Sequence, residues 1–195
     1  MRRSYLTLTL GLFAFLAFAV SAQANIILDQ NNPPHNVGLN DSLEWQQQIT
    51  VGIGGQLAGI TLYTNSGSDT DLVRIGVGGA PFLGNYSFMT TATITSGGTF
   101  IDTSSANIFL NPNDLFTIDV SGGPGCCNLA GSTIPYSGGD LYLDINGQFT
   151  DYTKDFGYSM AFQTYANTVP EPGTLVFLGT GVLGLVGILR RKINL

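Results

Sequence analysis

The chain has 195 residues, of which 44% are hydrophobic and only 10% are charged. Its 13 acidic and 7 basic residues give a formal net charge of −6, which repels phosphate backbones and argues against a nucleic-acid partner. The chain has only one histidine and two cysteines, which is fewer than the four Cys and His ligands of a typical structural zinc site.

The N-terminal segment, residues 1–24, has the three parts of a secretory signal peptide. Arg2 and Arg3 form a basic start, an apolar stretch follows, and Ala22 and Ala24 form an A-x-A cleavage site. We therefore predict a signal-peptide helix and export by the Sec pathway. An uncleaved N-terminal membrane helix is the alternative, and the cleavage site argues against it.

Residues 25–168 alternate apolar and polar side chains over many short stretches, which is the period of a half-buried strand. Along residues 45–51, for example, Trp45, Ile49 and Val51 share one face. Further alternating stretches cover residues 60–62, 72–77, 86–94, 108–110, 116–120, 141–145 and 160–163. Turns rich in Gly, Asn, Ser and Pro separate these stretches.

The domain over residues 25–168 is long enough to build its own core. The short strands and Gly-rich turns predict an all-β fold, an antiparallel β-sandwich that is jelly-roll-like, with Trp45 in the core. A single closed barrel is the alternative. We expect residues 165–168 to form a short linker from the last strand to the C-terminal segment.

The domain carries no recognisable catalytic constellation. His35 is its only imidazole, lies in a Pro- and Asn-rich stretch, and is not accompanied by a G-x-S-x-G motif. Glycoside hydrolysis needs two facing carboxylates, yet the only glutamates are Glu44 and Glu171. The sequence therefore predicts a protein that is not an enzyme, with a secreted glycan hydrolase as the alternative.

Several acidic residues lie in or beside predicted turns. Asp69, Asp71, Asp140 and Asp144 offer oxygen ligands of the kind that Ca²⁺ accepts, although none matches an EF-hand or a nonapeptide repeat. The other interpretation is that they are solvated loop acids. We therefore predict no cofactor and keep these four residues as Ca²⁺ candidates.

The two cysteines, Cys126 and Cys127, are adjacent in a Gly- and Pro-rich stretch. Neighbouring Cα atoms lie about 3.8 Å apart, which is shorter than disulfides prefer. In an oxidising compartment two pairings remain open, a strained bond between the neighbours and a bond between two chains.

The C-terminal segment, residues 169–195, has three parts in fixed order. It starts with the motif Val169, Pro170, Glu171, Pro172 and Gly173. An uncharged stretch at 174–189 then predicts a short transmembrane helix, near the lower limit of length for a bilayer. The basic residues Arg190, Arg191 and Lys192 follow as a stop-transfer signal on the cytoplasmic side. The prolines keep the motif extended and accessible to a processing enzyme.

This ordered segment resembles the PEP-CTERM sorting signal of Gram-negative bacteria. The resemblance implies recognition by an exosortase, a membrane-embedded enzyme similar to cysteine transpeptidases, at Pro170, Glu171 and Pro172. It also implies a host that makes exopolysaccharide and biofilm. The alternative is a plain membrane anchor with an incidental Pro-rich stalk.

The domain itself is similar to a secreted β-sandwich module of surface and carbohydrate-binding type. The similarity rests on spaced short motifs at residues 45–49, 55–60, 136–142 and 160–165. It supports the sandwich fold more than it supports any particular ligand. Exopolysaccharide is the expected partner, which the domain would bind or simply lie within, and aromatic rings are candidates for stacking on sugar rings. These candidates are Tyr63, Tyr86, Tyr136, Tyr142, Tyr152 and Tyr158. Tyrosines are also ordinary core and edge residues of sandwiches.

Both ends of the chain together predict an exported envelope or matrix protein. It is first held in the inner membrane by the C-terminal helix, then processed and released or attached at the cell surface. Between the signal peptide and the basic tail at 190–192, only Arg74 and Lys154 oppose all 13 acids, a net charge of about −11 that repels anionic lipids and attracts divalent cations. A permanently membrane-anchored adhesin is the remaining alternative.

Overall fold

The structure is a computed structural model, and it describes residues 25–34, 36–122 and 128–168. Residues Asn25–Thr168 form one compact unit. Within the described residues, helix is confined to a 3-10 turn at Ser104–Ala106 and to helix α1 at Tyr152–Phe156, which has 5 residues. The predicted all-β class is therefore confirmed.

Three predicted segments lie outside the described residues, namely the signal peptide at 1–24, the membrane helix at 174–189 and the basic tail at 190–192. In the part of the chain that the structure describes, no helix has both the length and the apolar character that crossing a membrane requires.

All strand pairs in the described ranges are antiparallel, and the strands form three sheets. Sheet A contains, in spatial order, β1 (Asn25–Asn32), β14 (Phe162–Thr168), β4 (Gly55–Leu62) and β7 (Thr99–Asp102), and β8 (Phe109–Leu110) also pairs with β4. Sheet B contains β13 (Ser159–Met160), β10 (Asn128–Ser132) and β2 (Asn36–Asn40). Sheet C contains β12 (Gln148–Asp151), β11 (Leu141–Ile145), β3 (Glu44–Thr50), β9 (Leu115–Gly122), β5 (Ser68–Val77) and β6 (Phe88–Thr95).

One hydrophobic core takes side chains mainly from sheets A and C, with Leu39, Leu129 and Met160 added by sheet B. Sheet A contributes buried residues such as Ile60, Leu62 and Phe162, and sheet C contributes residues such as Ile49 and Phe116. Each such side chain stabilises the fold by about 1.5–3 kcal/mol through burial. The strand period of two therefore identified the core side of these strands correctly, whereas the jelly-roll-like topology stays a prediction.

Trp45 is 2% exposed, as the alternation predicts. The opposite, polar face of β3 is also covered, because the segment at 78–87 folds over it. Phe82 N donates to Gln46 Oε1 at 2.6 Å, and Ala80 N donates to Gln48 Oε1 at 3.1 Å. Glutamine amides on this face therefore replace solvent as partners for the backbone of the covering segment.

The expected linker over residues 165–168 is wrong. These residues form the second half of β14 and pair with both β1 and β4. Polar residues are tolerated in this strand because only one face of an antiparallel sheet has to pack on a core. Five further strands were not predicted from the sequence, namely β1, β2, β7, β10 and β12.

Candidate metal centre and outward sheet face

Three aspartates from two separate parts of the chain, the β2–β3 turn and strand β5, meet in the domain. Asp41, Asp69 and Asp71 each place a carboxylate oxygen within 4.8 Å of the other two. Asp71 is 0% exposed and Asp41 is 1% exposed. We call this cluster the acidic centre.

Strand β5 directs two of these carboxylates into the domain. Side chains alternate between the faces of a strand, so Asp69 and Asp71 point to the same side as Val73 and Ile75. Val73 and Ile75 are fully buried core residues. The two aspartates therefore occupy positions where the alternation would place hydrophobic side chains.

The turn between β2 and β3 supplies Asp41, and Asn40 fixes that turn. The Asn40 side chain accepts a hydrogen bond from Ser42 N at 3.1 Å. The Asn40 carbonyl oxygen accepts from Leu43 N at 3.2 Å and from Trp45 Nε1 at 2.7 Å. Because Trp45 is a core residue, the position of Asp41 is tied to the core.

Strand β9 closes the centre with a glycine. Gly122 pairs with Asp71 across the sheet, and Gly122 N donates to the Asp41 carbonyl oxygen at 2.6 Å. A Cβ atom at residue 122 would lie 2.6 Å from Asp71 Oδ1 and would overlap the Asp41 carbonyl oxygen. Only glycine therefore permits this close approach of the Asp41 backbone beside Asp71.

Four oxygens of the acidic centre lack a hydrogen-bond donor among the described residues, whereas Asp69 Oδ1 accepts a hydrogen bond from Thr70 N at 2.7 Å. Within the described ranges 25–34, 36–122 and 128–168, no donor reaches Asp41 Oδ2, Asp69 Oδ2 or either Asp71 oxygen. Burial raises the pKa of Asp41 to about 7, and the contact with Asp69 and the charges of Asp69 and Asp71 add to this shift. Burial also raises the pKa of Asp71 to about 6, again with a contribution from the Asp69 charge.

Two of the four Ca²⁺ candidates, Asp69 and Asp71, are brought together, and the other two are not. Asp144 Oδ1 accepts a hydrogen bond from Gly147 N at 2.6 Å in the β11–β12 turn. Among the described residues, Asp140 and Asp144 join no group of three potential metal ligands.

Asp41 was missed by the sequence analysis. Asp69 and Asp71 could have been recognised from the sequence as inward-facing acids, because they occupy the same alternating positions of β5 as the core residues Val73 and Ile75. Asp41 lies in an Asn-Asp-Ser turn that looks like any other polar turn.

A second buried carboxylate, that of Asp119, is surrounded by hydrogen-bond donors. Arg74 Nε and Nη2 donate to Asp119 Oδ1 at 3.1 and 2.7 Å, and Gln46 Nε2 donates to Asp119 Oδ2 at 3.0 Å. Tyr86 also donates to Asp119, and Arg74 pairs with Glu44 at 3.0 Å. Burial raises the pKa of Asp119 to about 6, while its bonds to Tyr86 and Arg74 oppose the shift. This carboxylate is fully satisfied and belongs to the scaffold.

The outward side of sheet A carries exposed aromatic and amide side chains. Tyr165 pairs with Leu28 of β1, and Gln163 pairs with Asn31. The Phe100 ring of β7 lies against the Tyr165 ring, with centroids 5.4 Å apart. Phe100 is 50% exposed and Leu28 is 46% exposed. We call these five residues the aromatic–amide face.

Hydrogen bonds and one glycine order this face. Tyr165 OH donates to Gln163 Oε1 at 2.7 Å, and Gln163 Nε2 donates to Asn31 Oδ1 at 3.1 Å. Phe100 lies directly over Gly59, where a Cβ atom would come within 2.6 Å of the ring. The strand at 99–102 was not predicted, so Phe100 was not identified as a site residue. In the structure Phe100 is exposed and Ile101 is buried, which is the alternation of a strand.

Three of the six tyrosine candidates for sugar stacking are half-buried and contact other side chains of the domain. Tyr86 contacts Asp119, Tyr136 packs edge-on against Phe162, and Tyr152 packs edge-on against Trp45. These three contacts give the rings a structural role.

Other predicted site residues lie outside the described residues, so their positions stay predictions. They are Ala22, Ala24, Cys126, Cys127, Val169, Pro170, Glu171, Pro172, Gly173, Arg190, Arg191 and Lys192.

A scan against protein families matches residues 168–192 to the PEP-CTERM protein-sorting motif. A search of the curated proteins gives no significant match to the chain. The matched range contains the whole Pro-Glu-Pro segment, the apolar stretch and the basic triplet. By this motif the chain is a PEP-CTERM protein, and the domain in front of the motif is rich in β-strands.

Proposed function

We propose that this chain is a non-catalytic envelope or matrix protein of a Gram-negative bacterium, sorted by an exosortase, whose β-sandwich body binds exopolysaccharide. The motif match over residues 168–192 carries the sorting part, because that motif implies secretion, C-terminal membrane anchoring and exosortase processing. The signal peptide at 1–24 provides entry to the Sec pathway, and processing takes place at or near Pro170, Glu171 and Pro172.

The aromatic–amide face supports the binding part of the proposal. A sugar ring has an apolar C–H face and a rim of hydroxyl groups, which suits an exposed aromatic ring such as Phe100 beside amides such as Gln163. Amide groups both donate and accept hydrogen bonds, as hydroxyl groups do. The five residues carry no charge, so a neutral polysaccharide fits this face better than an anionic one.

The face is also ordered before any ligand arrives. Tyr165 and Gln163 are held by hydrogen bonds, and Phe100 is held against Gly59 and the Tyr165 ring. Side chains that are already fixed lose less conformational entropy on binding. This supports a recognition surface rather than an adventitious apolar patch.

Co-sedimentation with the exopolysaccharide of the producing bacterium tests the binding part. The full chain is kept in a mild non-ionic detergent and compared with Phe100→Ala and Tyr165→Ala. Each substitution is expected to weaken binding about tenfold, a loss of about 1.4 kcal/mol. Phe156→Ala is the matched control, because Phe156 is a similarly exposed ring, at 57%, outside the face. Equal binding by all four proteins, or by none, would refute this part.

The rival hypothesis is a glycan hydrolase that uses the acidic centre. Carboxylates with a raised pKa are typical of such enzymes, which favours the hypothesis. However, Asp41 and Asp71 are at most 1% exposed, so a glycosidic oxygen has no access to them. Release of reducing ends from exopolysaccharide by the wild-type chain, abolished by Asp71→Asn, would establish the rival and overturn the non-catalytic proposal.

A further inference from the structure

We propose that Asp41, Asp69 and Asp71 bind one Ca²⁺ ion, which ties the β2–β3 turn to the ends of strands β5 and β9. The proposal is independent of the proposed function, since it rests on buried residues and not on the sorting motif or the aromatic–amide face.

The acidic centre brings three carboxylates together and therefore needs a positive charge to balance them. Buried charged groups are stable in proteins when they are paired or bind a metal. Both oxygens of Asp71 lack a donor among the described residues, although the side chain is 0% exposed. Arg74, the nearest basic residue along β5, is occupied by Glu44 and Asp119. A solvated loop acid would not need to be buried in this way.

A glycine, Gly122, preserves the space beside Asp71. Gly122 faces Asp71 across β5 and β9, and a Cβ atom at this position would overlap the Asp41 carbonyl oxygen and lie 2.6 Å from Asp71 Oδ1. In the interior of a strand a glycine weakens the sheet, and it often marks a close approach to a ligand or another backbone. Here the glycine accommodates the close approach of the Asp41 backbone and leaves Asp71 Oδ1 uncovered.

The type and spacing of the ligand atoms identify the ion. The ligand atoms are all carboxylate oxygens, which suit Ca²⁺ and Mg²⁺ rather than metals that prefer nitrogen or sulfur. Oxygens on opposite sides of a Ca²⁺ ion lie about 4.6–5.2 Å apart, so three oxygens within 4.8 Å of one another can share one ion. Irregular geometry from a turn and a strand favours Ca²⁺, since Mg²⁺ demands a near-ideal octahedron.

Binding of the ion has a consequence for the stability of the fold. Asp41 belongs to the turn that joins sheet B to sheet C, whereas Asp69 and Asp71 belong to sheet C. An ion shared by the three would bind the folded chain and not the unfolded one, and would therefore stabilise the folded state in proportion to its occupancy.

The test is a titration of the full chain with calcium chloride alone, in mild detergent after treatment with a chelator. Isothermal titration calorimetry measures binding, and thermal unfolding measures its effect. We expect saturable binding of one ion per chain and a rise in the unfolding midpoint. Absence of binding would overturn the proposal, and so would equally tight binding of magnesium chloride, which would remove the assignment to Ca²⁺.

Four variants locate the site. Asp71→Asn and Asp69→Asn are expected to weaken calcium binding about tenfold or more, because affinity depends on the number of charged ligands. Asp155→Asn removes the same charge from an exposed residue of α1 and is expected to bind as the wild type does. Unchanged binding by Asp71→Asn, or its loss when Asp140 and Asp144 are both replaced by Asn, would contradict the assignment.

A reversal of stability separates metal binding from a purely structural role. In chelator, Asp71→Asn is expected to unfold at the same or a higher temperature than the wild type, because the variant buries no repelled carboxylate. In saturating calcium the order is expected to reverse. If Asp71→Asn is the less stable protein under both conditions by the same margin, the carboxylate has a structural role and the proposal fails.

Discussion

At the scale of single residues, the two buried acid sites differ in their partners rather than in their burial. Asp119 and Asp71 are both 0% exposed. Asp119 is surrounded by donors from Arg74, Gln46 and Tyr86, whereas Asp71 faces two other carboxylates. The first arrangement stabilises a charge, and the second destabilises it until a proton or a cation is bound.

The acidic centre makes the calcium-free protein less stable as the pH rises. The pKa of Asp71 is raised to about 6 and that of Asp41 to about 7 by burial. An acid whose pKa is raised by folding contributes stability below its unfolded pKa, near 4, and loses that contribution as the pH rises through its folded pKa. We therefore expect the free energy of unfolding in chelator to fall between about pH 4 and pH 7.

Urea unfolding at a series of pH values in chelator measures this effect. Asp119 shifts in the same direction, so the informative quantity is the difference between the wild type and Asp71→Asn. The difference is expected to favour the variant increasingly up to about pH 7. Parallel profiles for the two proteins would contradict the unpaired state of Asp71.

At the scale of elements, sheet C is organised around polar groups as well as around the core. Arg74 of β5 joins Glu44 of β3 and Asp119 of β9, so one guanidinium connects three strands. Tyr86 from the covering segment contacts the same carboxylate, and the Arg74 guanidinium lies 4.7 Å from the centre of its ring. The covering segment is therefore fastened to the sheet by this network.

Replacing Arg74 by Gln is expected to reduce the free energy of unfolding by about 3–5 kcal/mol, since Asp119 would stay buried without its counter-charge. Chemical unfolding followed by tryptophan fluorescence measures the loss, because the only Trp is in the core. Lys154→Gln removes the only other basic side chain of residues 25–168 and is expected to change stability by less than about 0.5 kcal/mol. Equal losses in both variants would mean that net charge, not the network, stabilises the sheet.

The sequence predicted those elements whose two faces have different environments. Strands β5 and β9 alternate clearly because their inward residues, such as Val73 and Ile118, pack in the core. Strand β1 was missed because its residues are mostly Asn, Gln and Asp, as in a loop. The second half of β14 looked like a linker for the same reason.

At the scale of the whole molecule, the two candidate sites combine residues that are far apart in the sequence. The acidic centre needs Asp41, Asp71 and Gly122, and their meeting depends on β9 lying beside β5. The aromatic–amide face needs β1, β7 and β14 in one sheet. Strand order is not encoded in local alternation, so neither site could be assembled from the sequence. The sorting segment could be recognised because its parts are contiguous.

The intact mass of the exported protein from the producing bacterium is the most direct test of exosortase sorting. We predict a mature chain that starts near Asn25, ends near Pro170, Glu171 and Pro172, and lacks the basic residues at 190–192. Replacing Glu171 by Ala is expected to leave a longer form in the membrane, whereas Asp155→Ala, at an exposed acid outside the motif, is expected to be processed normally. An extracellular wild-type protein that keeps residues 190–192, or normal processing of Glu171→Ala, would contradict the account and favour a permanently anchored adhesin.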